Sequence, residues 1–226
     1  MLTCEDLTLS FGSRPVLGDA SLSLREGQVL GLVAPNGSGK TTLLKALAGA
    51  PLGSARGAVQ ADGVPGCRTG DYQELVFYAP GDGSLLYGDL NARDHFDLLV
   101  SHWGIEDSPA ELMERWGVAG LGRKPVFRYS QGMRQQLVLG LAFSSPAKYL
   151  LLDEPLNALD PTWSRRALGW VRAAADGGRG VLMSSHLLDT IDAVCDGMVF
   201  IKGHELVEVS SGQGAREAYD RLYGAV

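Results

Sequence analysis

A chain of 226 residues has room for one sizeable core but not for two large independent domains. Hydrophobic residues make up 45% and charged residues 20%, the balance of a globular protein and not of a disordered or fibrous one. A formal net charge of -6 argues against non-specific binding to nucleic acid, so no nucleic-acid partner is expected.

Cys4, Cys67 and Cys195 stand apart, with neither metal-ligand spacing nor a disulfide framework. That fits a reducing compartment, and each cysteine reads as a small buried apolar residue. The start of the chain lacks the basic region and apolar run of a signal peptide. No apolar stretch is long enough to cross a bilayer, so a membrane role would have to come through a partner.

Residues 2–11 alternate, with Leu7, Leu9 and Phe11 on one side and Thr8 and Ser10 on the other. This predicts a half-buried strand. Residues 12–15 read as a turn. Val16, Leu17, Ala20, Leu22 and Leu24 continue as a strand, and Glu26-Gly27 turns the chain again. Phe11 ends the first strand at a rim. Its pattern fits a core position, and it also fits a platform on which an adenine ring stacks.

The apolar run 29–33 leads into Ala34-Pro35-Asn36-Gly37-Ser38-Gly39-Lys40-Thr41-Thr42, and a helical pattern follows over 40–48. Strand, glycine turn and helix in that order are what a phosphate-binding loop needs. Gly37 and Gly39 let the backbone curl so that several N–H groups point into one concavity, together with Asn36 and Ser38. The helix adds the positive end of its dipole. Lys40 can reach terminal phosphates, and the Thr41 hydroxyl can join the shell of a Mg²⁺ ion, with Thr42 beside it. The opening glycine of G-x-x-x-x-G-K-[ST] is Ala34 here, which fits only at negative φ.

A glycine-rich stretch, 49–70, contains a short polar strand over 58–63. Residues 75–79 read as a buried strand ending at Pro80. Helical patterns follow over 91–102 and from Ser108-Pro109-Ala110-Glu111, which has capping-box spacing and proline in the first turn. Phe96, Leu98, Leu99, Trp103, Leu112, Met113 and Trp116 supply apolar faces that read as core. Tyr129-Ser130-Gln131-Gly132-Met133-Arg134-Gln135-Gln136 then runs into a helix carrying Leu137, Val138, Leu141, Ala142 and Phe143, with Ser130 as a natural N-cap.

Residues 149–152 form a fully apolar strand that ends in Asp153-Glu154-Pro155. Such strands belong to parallel sheets covered on both faces, and ligands bind beyond their carboxyl ends. Asp153 can hold Mg²⁺ directly or through water, and Glu154 can polarise an attacking water. Residues 156–161 turn into a helix that begins at Pro161 and ends at Gly177-Gly178. A second buried strand, 180–186, ends in His186, level with the two acids. Residues 187–194 read as helix, 198–201 and 206–209 as a hairpin, and 214–223 as a short, mostly solvated helix.

This order of motifs resembles the ATP-binding subunit of ABC transporters over nearly the whole chain. Residues 34–41 are similar to Walker A, and 150–154 to Walker B with its catalytic glutamate. Residues 157–160 resemble the D-loop, His186 the switch histidine, and Phe11 the aromatic that stacks on adenine. Residues 129–134 stand where the Leu-Ser-Gly-Gly-Gln signature belongs, in a variant similar to that of bacterial exporters whose membrane subunit is a separate chain. The implied fold is α/β: a P-loop NTPase core with a mostly parallel sheet, an N-terminal antiparallel β piece and an inserted α-helical lobe. It would be one ABC-type ATPase domain over 1–226, with 1–84 and 146–226 as catalytic core and 85–145 as helical lobe.

The resemblance implies a Mg²⁺-dependent ATPase with Glu154, His186 and Lys40 as catalytic residues. Phe11, Asn36, Gly37, Ser38, Gly39, Lys40, Thr41, Thr42, Ser130 and Gly132 would bind ATP, and Thr41 and Asp153 would hold the metal. Two chains, as a homodimer or with a related ATPase chain, would pair head to tail. Each ATP would then touch Walker A of one chain and Ser130 and Gly132 of the other. The helical lobe would dock on a separate transmembrane permease subunit, with the chain cytoplasmic and peripheral on the inner face of the membrane. In the family a glutamine follows the Tyr-x-Pro strand end, senses Mg²⁺ and the attacking water, and couples to the membrane subunit. Here that place is Gly81, followed by Asp82, so hydrolysis or coupling could be weaker. Gln131 and Met133 also depart from the strict signature. The alternatives are an ATP-driven clamp, or a regulatory nucleotide-binding module, in a non-transport process.

Overall fold

The computed structural model describes residues 1–52, 54–66, 70–209 and 212–224. Cys67 lies outside the described residues. In chain order the elements are β1 (Leu2–Phe11), β2 (Arg14–Leu24), β3 (Val29–Val33), α1 (Lys40–Leu47), β4 (Ser54–Ala61) and β5 (Val64–Pro65). Next come α2 (Gly70–Leu75), β6 (Val76–Ala79), α3 (Ala92–Trp103), α4 (Pro109–Arg115) and α5 (Gln131–Ser144). The chain continues with β7 (Tyr149–Leu152), α6 (Pro161–Asp176), β8 (Gly180–Ser184), α7 (Leu188–Val194), β9 (Gly197–Lys202), β10 (Glu205–Val209) and α8 (Ala215–Tyr223).

The strands form two sheets. One is antiparallel, in the order β2-β1-β4-β5; the other is β10-β9-β3-β8-β7-β6. Every pairing in the second sheet is parallel except the β9–β10 hairpin. Its central strands are buried along their whole length because both faces are covered. Leu30, Leu32, Leu151 and Leu182 face a core shared with α1 and the antiparallel sheet. Val29, Val33, Leu150, Leu152, Val181 and Met183 face a second core with α5, α6 and α7. A third cluster gathers Phe96, Leu99, Leu112, Met113, Val126, Leu137 and Leu141 among α3, α4 and α5.

The caps follow the sequence. Ser108 and Glu111 form a reciprocal capping box at α4, and Asn91 with Asp94 forms another at α3. The Ser130 hydroxyl accepts from the Met133 N–H at 3.2 Å at the start of α5.

Several local expectations change. α2 replaces part of an expected loop, and Leu75 ends this helix instead of opening the next strand. Only Tyr72 of α2 is buried, and its hydroxyl donates to the Leu47 carbonyl. A tertiary contact thus holds a helix that local propensity does not announce. The polar strand begins at Ser54, and the first hairpin turn shrinks to Gly12-Ser13. Alternation in β1 fails at its end. Asp6 adopts φ +48° where the register first shifts; Leu7 and Leu9 are still buried, the register shifts again between Leu9 and Ser10, and Phe11 beyond it is 51% exposed. The helix α8 is less solvated than expected. Ala215 and Ala218 are buried, and the Tyr223 hydroxyl donates to the Ile201 carbonyl at 2.6 Å.

The two sheets are pinned together near their rim. The Lys148 ammonium bonds Asp62 Oδ2 at 2.7 Å and Glu26 at 2.8 Å, and the Tyr149 hydroxyl donates to Asp62 Oδ1 at 2.7 Å.

Candidate functional site

The carboxyl ends of β3, β7 and β8 bring the sequence-predicted groups to one place. Ala34 is buried and not among the residues at positive φ, so alanine is tolerated where the motif has glycine. Gly37 and Gly39 sit at φ +79° and +107°, conformations that side chains rarely adopt. A Cβ at Gly39 would also stand 2.6 Å from Val16 Cγ1, so β2 closes against the loop only if this position is bare. Lys40 is 7% exposed, and its ammonium donates to the Ala34 carbonyl at 2.8 Å, folding over its own loop.

A cleft of about 480 Å³ opens in front of this loop. Asn36, Gly37, Ser38, Gly39, Lys40, Thr41 and Thr42 line its floor, and Glu154 stands at one wall. Phe11, Arg14 and Val16 also line it, together with His204 from the β9–β10 turn. The exposed Phe11 ring therefore borders the cleft and leaves the core that its alternation also allowed.

Asp153 is buried and held from three sides by hydroxyls. Thr41 Oγ1 donates to Oδ2 at 2.7 Å, Tyr78 Oη to the same oxygen at 3.2 Å, and Ser184 Oγ to Oδ1 at 2.8 Å. Burial and this carboxylate push the Tyr78 phenol well above its ordinary pKa, so it stays a donor. Glu154 adopts φ +46°, which turns its side chain toward the loop. Its Oε1 lies 3.5 Å from Lys40 Nζ and its Oε2 2.8 Å from His186 Nδ1. A carboxylate only accepts, so the ring proton of that contact sits on Nδ1.

The arrangement fits an anionic ligand. Lys40, the bare N–H groups of the loop and the start of α1 converge on one concavity. It also fits Mg²⁺, a hard cation. The Thr41 hydroxyl and the Asp153 carboxylate are adjacent oxygen donors, and such a site leaves its other positions to phosphate oxygens and water.

Within one chain, Ser130 and Gly132 do not border this cleft. The start of α5 packs instead on the 157–158 turn, where a Cβ at Gly132 would stand 2.6 Å from the Ala158 carbonyl oxygen. Met133 packs against the helical cluster, which gives the variant signature residue an apolar contact. Sequence reasoning missed four contributors. Gln135 is 2% exposed and donates to the Pro155 carbonyl at 3.0 Å, tying α5 to the loop after Glu154. Tyr78 and Ser184 hold Asp153, and His204 reaches the cleft. Gln135 and Ser184 had a signal, a polar residue within an apolar pattern; His204 had none.

The family model described as ABC transporter matches residues 17–157. The chain belongs to the ABC transporter family. Among its relatives, the lantibiotic transport ATP-binding protein SrtF of Streptococcus pyogenes is 28% identical over 204 residues, covering 89% of this chain and 86% of that protein. An ABC transporter ATP-binding subunit of known structure superposes with a TM-score of 0.88 at 24% identity, over 98% of this chain and 99% of that one. The ATP-binding cassette MJ0796, solved as a dimer in a post-hydrolysis state with ADP and Pi, gives 0.81 at 18% identity, over 93% and 99%. Those two likenesses establish the ABC fold, with its mostly parallel sheet, antiparallel sheet and helical lobe. The molecule is thus an ATP-binding chain of the ABC family, with a glycine-lined cleft at the carboxyl end of β3.

Proposed function

We propose that this chain hydrolyses ATP with Mg²⁺ and drives a transporter whose membrane-spanning subunit is a separate chain. The observation that carries the reading is the run of contacts that joins Lys40 to Glu154, Thr41 to Asp153 and Glu154 to His186 beside one glycine-lined cleft. Asn36 to Thr42 cradle the phosphates, and Phe11 stacks on the base. Thr41 and Asp153 hold Mg²⁺, which offsets phosphate charge when bound. Glu154 accepts a proton from the attacking water, and His186 steadies it through Nδ1.

Hydrolysis needs a second copy or a related ATPase chain. The start of α5, with Ser130 as cap and Gly132 bare, offers N–H donors to the γ-phosphate held by the partner. Residues 85–145 form the lobe that meets the permease, and 1–84 with 146–226 form the catalytic core. No helix among the described residues is long and apolar enough to cross a membrane. In this reading the chain is cytoplasmic and sits peripherally on the permease. The name of the lantibiotic transport relative supports a transport role, and the reading takes the direction as export.

Replacing Glu154 with Gln tests the reading. ATP turnover falls about 100-fold or more while ATP binding persists and the pair stays closed. Unchanged turnover overturns the assigned base. A second reading, a regulator that binds ATP and barely hydrolyses it, is favoured by Gly81, which offers no side-chain amide. Negligible turnover of the unaltered chain with its permease would select that reading.

A further inference from the structure

The phosphate-loop strand β3 and the acid-bearing strand β7 are not neighbours, because β8 lies between them. Thr41 and Lys40 reach the acids directly, and a further support for the acids comes from the carboxyl end of β8. The residue there is Ser184, a fully buried hydroxyl at the end of the apolar run Val181, Leu182, Met183. A hydroxyl in such a place is costly unless it is bonded. Ser184 Oγ donates to Asp153 Oδ1 at 2.8 Å and accepts from the Glu154 N–H at 2.8 Å. One oxygen thus binds the side chain of one acid and the backbone of the next, at the residue whose φ of +46° needs holding.

We infer that Ser184 is a positioning residue that couples the metal-holding carboxylate of Asp153 to the orientation of Glu154. The inference rests on the roles proposed above for those two acids. With Ser184 in place, Asp153 cannot rotate toward a cation without carrying the Glu154 amide with it. Without the hydroxyl, Asp153 keeps its bonds from Thr41 and Tyr78 on Oδ2, so the fold persists, but Oδ1 and the Glu154 N–H lose their common partner. The phosphate cradle of residues 36–42 is untouched.

The test compares Ser184→Ala and Ser184→Cys with the unaltered chain and with Glu154→Gln. Thermal melting and binding of a fluorescent ATP analogue in EDTA report the fold and the cradle. The gain in affinity on adding Mg²⁺, the Mg²⁺ concentration for half-maximal turnover, and kcat report the coupling. Both serine variants should bind the analogue in EDTA within about twofold of the unaltered chain. They should lose most of the Mg²⁺-dependent gain, need about tenfold more Mg²⁺ and show a kcat lower by about tenfold or more, with little change in KM. The cysteine variant keeps the volume, so the same defect there assigns it to the hydroxyl; it also supplies the answer if the alanine variant does not fold. Serine variants that match the unaltered chain while Glu154→Gln loses turnover overturn this inference and leave the functional reading standing. Parallel loss of melting temperature and EDTA binding in both variants overturns it too, as a purely structural role. An unaltered chain that neither gains affinity with Mg²⁺ nor turns over ATP overturns the functional reading, and this inference with it.

Discussion

Gly81 lies so close to Asp153 that a Cβ on Gly81 would overlap the Asp153 carbonyl oxygen. The contact follows from the sheet. β6 pairs with β7 in parallel register, and the Asp153 N–H donates to the Ala79 carbonyl at 2.9 Å, which draws the end of one strand onto the other. The absence of a glutamine here is therefore a packing requirement of this chain. Asp82 is committed to its own turn, where it accepts from the Ser84 N–H at 2.9 Å. Restoring the family residue with Gly81→Gln should force the 81–84 turn away from the acids, at a cost of about 1–3 kcal/mol. Melting temperature and ATPase rate should both fall. A variant with normal melting and faster turnover would show that the turn accommodates the side chain.

Phe11 is half exposed and borders the glycine-lined cleft, so its ring contributes little to the core. Phe11→Ala should leave the melting temperature within a degree or two while weakening ATP binding roughly tenfold, the scale of one lost base–aromatic stack. Phe11→Tyr should bind as well as the parent. Equilibrium binding of a fluorescent nucleotide reads both, and equal affinity of the alanine variant would remove Phe11 from the site.

Asp62 carries a pH-dependent share of stability. Burial alone would raise its pKa, but hydrogen bonds led by the Lys148 ammonium outweigh that and hold the carboxyl far below its ordinary range. A carboxyl depressed in the folded state stabilises fully above its unfolded pKa, near 4, and loses that contribution as pH falls further. Asp62→Asn should therefore cost about 1 kcal/mol at pH 7, allowing for the solvent screening of Lys148. The gap between variant and parent should narrow steadily below about pH 4. Denaturant melts at pH 7 and pH 3 measure it, and a gap independent of pH would mean that charge is not the cause.

The amino-acid sequence by itself determined the elements whose signals are local. The turn around Gly37 and Gly39 needs positive φ, and the apolar run 149–152 ending at Asp153 needs a parallel sheet covered on both faces. Serines at 108 and 130 mark helix starts because their hydroxyls reach the N–H three residues on. These are short-range constraints, and they sufficed to single out Lys40, Thr41, Asp153, Glu154 and His186, which the fold brings together. The sequence did not reveal α2, which depends on Tyr72 reaching the Leu47 carbonyl. Nor did it reveal that the register shifts between Leu9 and Ser10, beyond which Phe11 lies outside the core, or that Gly81 has no room for a side chain. It gave no order for the strands, and that order sets β8 beside β7 and makes Ser184 the common partner of Asp153 and Glu154. Only the tertiary structure decided these points, because each depends on distances between residues far apart in the chain, which no local pattern encodes.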